Sequence, residues 1–279
     1  MGDDLTTETG PDKEAKKPSR EILQQEMKEG LRALEAPAGS LFISALSAGL
    51  DIGFGPFLMA AVYTLAAGEL PRPLVAILVA NSYAVGFIFV VLGRSELFTE
   101  QTTLAVLPVL NRRSSVGALL RLWSLVFAGN MVGSVCFSIL AVLAGPAIGV
   151  IEPAAFGAIA QPLMHDTWWV ALMSAVLAGW LMGLLSWLVA AGRDTISQVV
   201  LVWLIATSIG LGHFNHIVAG SAEVFMAAFA GQGVDGSDIV WFLLWTTLGN
   251  ILGGSIFVAL IKYSLVMRSS QPLETGTEL

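Results

Sequence analysis

The chain has 279 residues, of which 55% are hydrophobic and only 13% charged. A soluble domain of this size cannot cover so much apolar surface. Its formal net charge is −7, but the acidic residues cluster in the tails, so the sign says little about partners, and no nucleic-acid partner is expected.

In chain order, residues 1–18 are polar, lack the apolar core of a signal peptide, and are expected to form a disordered cytoplasmic tail. Over 19–37, Leu23, Met27, Leu31 and Leu34 recur at helical spacing among charges, which predicts an amphipathic helix on the inner membrane face. The stretches 41–68, 73–92, 122–151, 167–192, 195–222 and 239–261 are long and apolar. About 20 such residues cross the hydrocarbon core as a helix. Strand alternation is absent, so the fold class is all-α, with six transmembrane helices in one domain over 38–267 and a cytoplasmic tail over 268–279. Lys13, Lys16, Lys17, Arg20, Lys28 and Arg32 precede the first span. Arg112, Arg113 and Arg121 lie between the second and third, Arg193 between the fourth and fifth, and Lys262 and Arg268 follow the sixth. The opposite loops hold only Arg72, so both termini are expected in the cytoplasm. Trp168, Trp169, Trp241 and Tyr263 fit interfacial belts. Cys136 is the single cysteine, is expected to serve packing, and excludes a disulfide within the chain.

The spans repeat. "SALSAGLDIG" (44–53) matches "SAVLAGWLMG" (174–183) at an offset of 130, and "FAGNMVGSVCF" (127–137) matches "TLGNILGGSIF" (247–257) at an offset of 120. Small residues at such spacings let helices approach closely, which by itself accounts for one match but not for two in the same order. Two three-helix repeats in series must be inverted in the membrane, a plan whose site lies near the midplane on interrupted helices. The second and fifth spans are interrupted, at "GRSELFTEQ" (93–101) and "GHFNH" (212–216), and an offset of 120 sets Glu96 beside His216. Non-helical backbone at membrane depth must be buried in protein or line water.

Several readings of these residues stay open. His216 is either a pore residue or a helix-break histidine that only caps backbone carbonyls, and His213 belongs to a vestibule or to the structure. Arg94 and Glu96 either pair within their loop or gate the mouth. A metal site would need ligands beyond His213, His216 and the distant His165, so no metal or cofactor is expected. An intramembrane hydrolase built on Ser221 lacks the nucleophile elbow. A channel for small neutral solutes fits the same inverted, aquaporin-like architecture.

"GRSELFTEQT" (93–102), "HFNHIVAG" (213–220) and the repeated Gly-Asn pairs together resemble the formate/nitrite transporter family over residues 40 to 265, as a divergent member. The resemblance implies a homopentamer in a bacterial inner membrane. Each protomer would pass small monovalent anions of weak acids, with protons as a further partner, and there is no enzyme activity. The family's central pore histidine falls on His216, beside Asn215, and the loop threonine on Thr99. Its hydrophobic constrictions fall on Leu97, Phe98, Tyr83, Ile209 and Met182. The chain departs from the family's pattern in several places. Asn215 stands where the family often has Glu, Gly179 where it usually has Asn, and His213 replaces Gly. Arg94 and Asp51 add charges, and no Lys or Arg lies between Arg121 and Arg193.

Overall fold

The computed structural model describes residues 16–164 and 167–269. The expected tails fall almost wholly outside them, as do His165 and Asp166. Among the described residues the chain is helical: α1 (Ser19–Glu35), α2 (Ala38–Ile52), α3 (Phe54–Ala66), α4 (Arg72–Gly93), α5 (Phe98–Leu104), α6 (Val106–Leu110), α7 (Val116–Ala147), α8 (Pro153–Ala160), α9 (Trp168–Ala191), α10 (Thr195–Leu211), α11 (Ile217–Phe229), α12 (Gly236–Leu252) and α13 (Ile261–Ser269). A π-helical stretch, Gly253–Leu260, joins α12 to α13. Five segments are long and apolar enough to cross a membrane: Ala38–Ala66, Arg72–Gly93, Val116–Ala147, Trp168–Ala191 and Gly236–Arg268. The shorter pair α10 and α11 makes the sixth, interrupted span. Its interruption, and that of the second span between α4 and α5, fall where the sequence places them.

The two repeats pack alike. The seam between α2 and α7 recurs between α9 and α12, and small residues make both close. A Cβ on Gly49 would collide with the carbonyl oxygen of Asn130, and one on Gly179 with that of Asn250. Either glycine replaced by a larger residue would push its span off its partner. The repeats differ in their backbone: the first span is broken between α2 and α3 where α9 is continuous, and only the second repeat has a π-helical stretch. In the second, the π-helical stretch reaches α5: Thr103 Oγ1 donates to the Gly254 carbonyl at 3.2 Å and Ser255 Oγ to the Thr102 carbonyl at 2.8 Å. π-helical turns are uncommon and gather at functional sites.

Helix α1 forms as the spacing predicts, with Ile22, Leu23, Met27 and Leu34 buried. Its apolar face is filled by protein: Ile22, Leu23 and Met27 pack with Leu107, Trp187 and Val266 across the bottom of the bundle. Glu26 is buried on the same face and accepts a hydrogen bond from Ser186 Oγ at 3.2 Å. Burial, then the nearby Glu100 carboxylate, pushes its pKa up to about 8. Cys136 is exposed on the perimeter of the protomer, so packing within this chain does not explain it. Large apolar side chains such as Ile43, Leu65, Leu143 and Ile196 also face outward, as they do on a surface wetted by lipid or covered by another protomer.

Candidate substrate path

Both interruptions are built in one way. Helix α4 ends with Arg94 in the left-handed region (φ 56) and α10 is followed by His213 in the same region (φ 49). Ser95 N–H closes the first end on the Val90 carbonyl, and Phe214 N–H closes the second on the Ile209 carbonyl, both at 3.1 Å. This is the helix-ending turn that glycine usually occupies. After the turn, Glu96 N–H donates to Ser44 Oγ and Asn215 N–H to Ser174 Oγ, each at 3.0 Å. One asparagine then fastens each loop to its span. Asn130 Oδ1 accepts from Phe98 N–H at 2.8 Å, while its Nδ2 donates to the carbonyls of Ala45 and Glu96. Asn250 does the same for Ile217 N–H and the carbonyls of Ala175 and Asn215. The Gly-Asn repeat is therefore more than a small-residue seam, because its asparagine satisfies backbone groups that the break exposes.

These matched bonds correct the register. Glu96 corresponds to Asn215, and Leu97 to His216, an offset of 119 rather than 120. The third and sixth spans do carry 120, but the connections between loop and span differ by one residue. Leu97 is the residue before α5, and His216 the residue before α11. One structural position thus holds an inert side chain in the first repeat and an imidazole in the second.

The starts of α5 and α11 meet. His216 Nε2 lies 2.8 Å from Thr99 Oγ1, and both residues are fully buried. His216 Nδ1 accepts from Ala219 N–H at 3.2 Å, which caps α11. A ring nitrogen that accepts carries no proton, so the neutral ring holds its proton on Nε2 and donates to Thr99. The Thr99 hydroxyl keeps its own proton to give. The N–H groups of Thr99 and Val218, one residue into each half-helix, have no hydrogen-bond partner among the described residues. The edge of Phe87 closes on the imidazole at 4.9 Å between centroids. His216 therefore caps a backbone N–H rather than the carbonyls expected of a break histidine, and its other nitrogen meets Thr99.

The expected constrictions Tyr83, Leu97, Phe98, Met182 and Ile209 are all buried in the cluster that surrounds this contact. Phe98 is held edge-on by Phe127 of α7 at 5.3 Å. Asn215 is buried, with Oδ1 accepting from Ser174 Oγ and Nδ2 donating to the Leu163 carbonyl, both at 3.3 Å. Cavities open on the two sides. On the side of α1, a cavity of about 130 Å³ is lined by Arg94, Glu96, Glu100 and Gln101 together with Glu26 and Arg32 of α1. On the far side, a cavity of about 610 Å³ is lined by Met59, Tyr63, Val79, Gly210 and His213. Arg94 and Glu96 do not pair: Glu96 Oε2 accepts from Gln101 Nε2 at 2.6 Å, and Arg94 is exposed. The exposed guanidinium keeps its hydration, whereas pairing would immobilise it for little gain. Ser221 donates to the Ile217 carbonyl of its own helix, which occupies the hydroxyl that a hydrolase would use. Among the described residues no group of three metal-ligating side chains converges.

Sequence reasoning passed over Glu223. It is the single charged residue of "IVAGSAEVFMAAF" (217–229), is 3% exposed, and receives no hydrogen bond or cation among the described residues. A lone acid in an apolar half-helix was the signal that should have marked it.

Comparison with known proteins follows from this geometry. A family model described as formate/nitrite transporter matches residues 20–264. The inner membrane protein YfdC of Escherichia coli K12 is 35% identical over 257 residues, covering 89% of this chain and 80% of that protein. A probable formate transporter of Methanothermobacter thermautotrophicus is 33% identical, over 82% of this chain and 89% of its own. The nitrite transporter NirC of Salmonella typhimurium is 27% identical, over 83% and 85%. Among solved structures, a channel titled "FNT family ion channel" superposes with a TM-score of 0.80 at 21% identity, over 88% of this chain and 99% of that one. A pentameric formate channel with formate bound superposes with a TM-score of 0.68 at 24% identity, over 82% and 98%.

Proposed function

The chain belongs to the formate/nitrite transporter family, and on that premise we propose that it passes small monovalent anions of weak acids, such as formate, nitrite or hydrosulfide, along a path that crosses the Thr99–His216 contact. Membership makes it an integral membrane transporter or channel and not an enzyme. The observation that carries the finer reading is the meeting of the two helix starts. The donors left without a partner at the two helix starts carry no net charge: the Thr99 hydroxyl and the N–H groups of Thr99 and Val218. The start of α11 adds the positive end of a helix dipole. Neutral donors bind the oxygens of a weak acid in its anionic or its neutral form without trapping it as a fixed ammonium would trap an anion, and release is as necessary to flux as entry. Leu97, Phe98, Tyr83, Ile209 and Met182 narrow the path with apolar surface and turn back strongly hydrated ions.

In this reading His216 orients. Its Nε2–H fixes the Thr99 oxygen, so the threonine proton is left for the substrate. For His216 itself to protonate an anion, the ring would first take a second proton at Nδ1 and give up the Ala219 cap. Asn215 anchors the loop that carries it. The positive-inside distribution puts α1 and both termini in the cytoplasm and the larger cavity outside. Likeness to a pentameric formate channel supports a homopentamer with a path in each protomer, and likeness to an inner membrane protein supports a bacterial inner membrane.

The test is uptake of formate, nitrite and hydrosulfide into proteoliposomes at about pH 5 and about pH 8, on either side of the imidazole range. At least one anion is expected to enter faster than through lipid alone, and Thr99→Val to slow it about tenfold, the equivalent of one hydrogen bond of ~1.4 kcal/mol. Swelling in glycerol or urea with no anion uptake would replace this reading with a neutral-solute channel.

A further inference from the structure

The geometry points to Glu223 as the proton donor of the outer half of the path: its carboxyl protonates an entering weak-acid anion, which then crosses the Thr99–His216 contact as the neutral acid. This inference rests on the transport reading above and adds to it a residue and a side.

Position is the first support. Glu223 lies seven residues beyond His216 along α11, about 10 Å toward the far side and close to two full turns, which returns it near the same helix face. Across from it, α4 presents Val79, Tyr83 and Phe87 on successive turns. Val79 lines the far cavity, Tyr83 packs on Phe87 at 5.1 Å, and Phe87 packs on His216 at 4.9 Å. A Cβ on Gly210, another wall residue of that cavity, would touch Tyr83 at 3.2 Å. Tyr83 therefore stands between the cavity and the imidazole, and Glu223 is within electrostatic reach of Tyr83. In this proposal the route of an anion from the far cavity to His216 runs past Tyr83 and the carboxyl.

Isolation is the second support. A structural buried carboxyl is expected to have a cation or several donors, since breaking such a pair at depth is strongly destabilising. Glu223 has neither among the described residues. The other titratable groups on the elements packed against α11 are occupied or distant. Asp51 of α2 accepts from Ser47, Tyr63 of α3 lines the far cavity, and Cys136 of α7 is exposed. Asp238 of α12 closes that helix's capping box, Glu100 of α5 lines the α1-side cavity, and α8 carries none. Arg121, near the α1-side start of α7, donates to the Ala36 carbonyl. His216 has both ring nitrogens engaged, and Glu223 offers a carboxyl between it and the far cavity, on whose wall Tyr63 and His213 also stand.

The chemistry balances. The O–H bond of the Glu223 acid breaks, the anion takes the proton and becomes the neutral acid, and Glu223 is left as carboxylate. Water in the outer cavity returns a proton to it. The neutral acid gives its proton to water on the α1 side, so one proton moves with one anion. As a carboxylate Glu223 repels the next anion, which ties each passage to its own reprotonation.

Full-length protein in proteoliposomes loaded with a pH-sensitive dye is given formate, nitrite or hydrosulfide gradients while the outer pH is stepped. Wild type is expected to acidify the lumen in step with uptake and to speed up as the outside is acidified. Glu223→Gln keeps shape and hydrogen-bonding reach but has no proton to give. It is expected to lose the coupled acidification and the acid stimulation, and to carry anion at least tenfold more slowly in acid. Glu223→Asp is expected to restore the pH profile. In acid-minus-alkaline infrared difference spectra, the part of the carboxylic C=O band that Glu223→Gln removes, over the part that Glu26 and the other carboxyls keep, reads the proton without transport. A Glu223→Gln protein that elutes like wild type and keeps its pH profile and proton movement overturns the inference, as does an unchanged infrared band. Absence of uptake of all three anions by wild type at every pH overturns the transport reading instead, and this inference with it.

Discussion

The loop before α5 and the loop before α11 have the same backbone, the same serine and asparagine anchors, and different chemistry. Ser44 and Asn130 hold the first as Ser174 and Asn250 hold the second. At the residue preceding each half-helix one repeat has Leu97 and the other His216. The frame is therefore paid for twice, and only one copy is used for polar chemistry. A conserved geometry with divergent side chains separates what a broken membrane helix needs from what a substrate needs. The first is satisfaction of exposed backbone groups, and the second is a donor at the point where the two helix starts meet.

The strongest way to break the comparison is to remove the anchors. Asn130→Ala leaves the Phe98 N–H and the Glu96 carbonyl without partners, and Asn250→Ala the Ile217 N–H and the Asn215 carbonyl, while the Ala45 and Ala175 carbonyls keep their helix bonds. Each is expected to cost on the order of 3 kcal/mol or more, at ~1–3 kcal/mol per unsatisfied group, read as lost yield and lowered melting temperature in detergent. If only one of the two is harmful, the loops are not built alike. The next largest effect comes from erasing the chemical difference. His216→Leu puts in the second loop the residue that the first loop already accommodates. It should fold with a loss of about 1 kcal/mol for the missing cap. Uptake should fall at least about tenfold, since the hydrogen bond to Thr99 is gone. A fully active His216→Leu protein would make the imidazole dispensable and the two loops equivalent in use.

The smallest expected effect concerns α1, which docks under one end of the bundle. Glu26 is held by burial at a pKa of about 8, above its ordinary 4.5, so the folded protein binds the proton more tightly than the unfolded chain does. Its contribution is fully present below about pH 4.5 and is lost as pH rises through 8. Melting temperature should therefore decline across that window. Glu26→Gln should flatten the decline, with differences of roughly 2–4 °C for each kcal/mol recovered. An unchanged slope in Glu26→Gln would place the pH sensitivity elsewhere, with Glu100 as the neighbouring carboxyl to examine next.

Much of this was legible in the chain. Runs of apolar residues report a local free energy of transfer, so the spans and both breaks could be placed before any contact was known. The repeated Gly-Asn and Ser-Ala motifs exposed the duplication, and the resemblance in "HFNHIVAG" singled out His216. The register of the loops was misjudged by one residue, because an offset taken from two long helices does not count residues in the connections. The Arg94–Glu96 pairing failed for a similar reason: closeness in sequence does not orient side chains across a left-handed turn. Glu223 went unremarked because its meaning depends on what faces it.

The sequence by itself determined the class, the six spans, the inverted duplication and the positions of the two interruptions, since each is written in composition and period along the chain. The tertiary structure decided which nitrogen of His216 carries the proton, which asparagines close the loops, and which acids are buried. Those depend on contacts such as that of Thr99 with His216, 117 residues apart, and no local pattern encodes a partner at that distance.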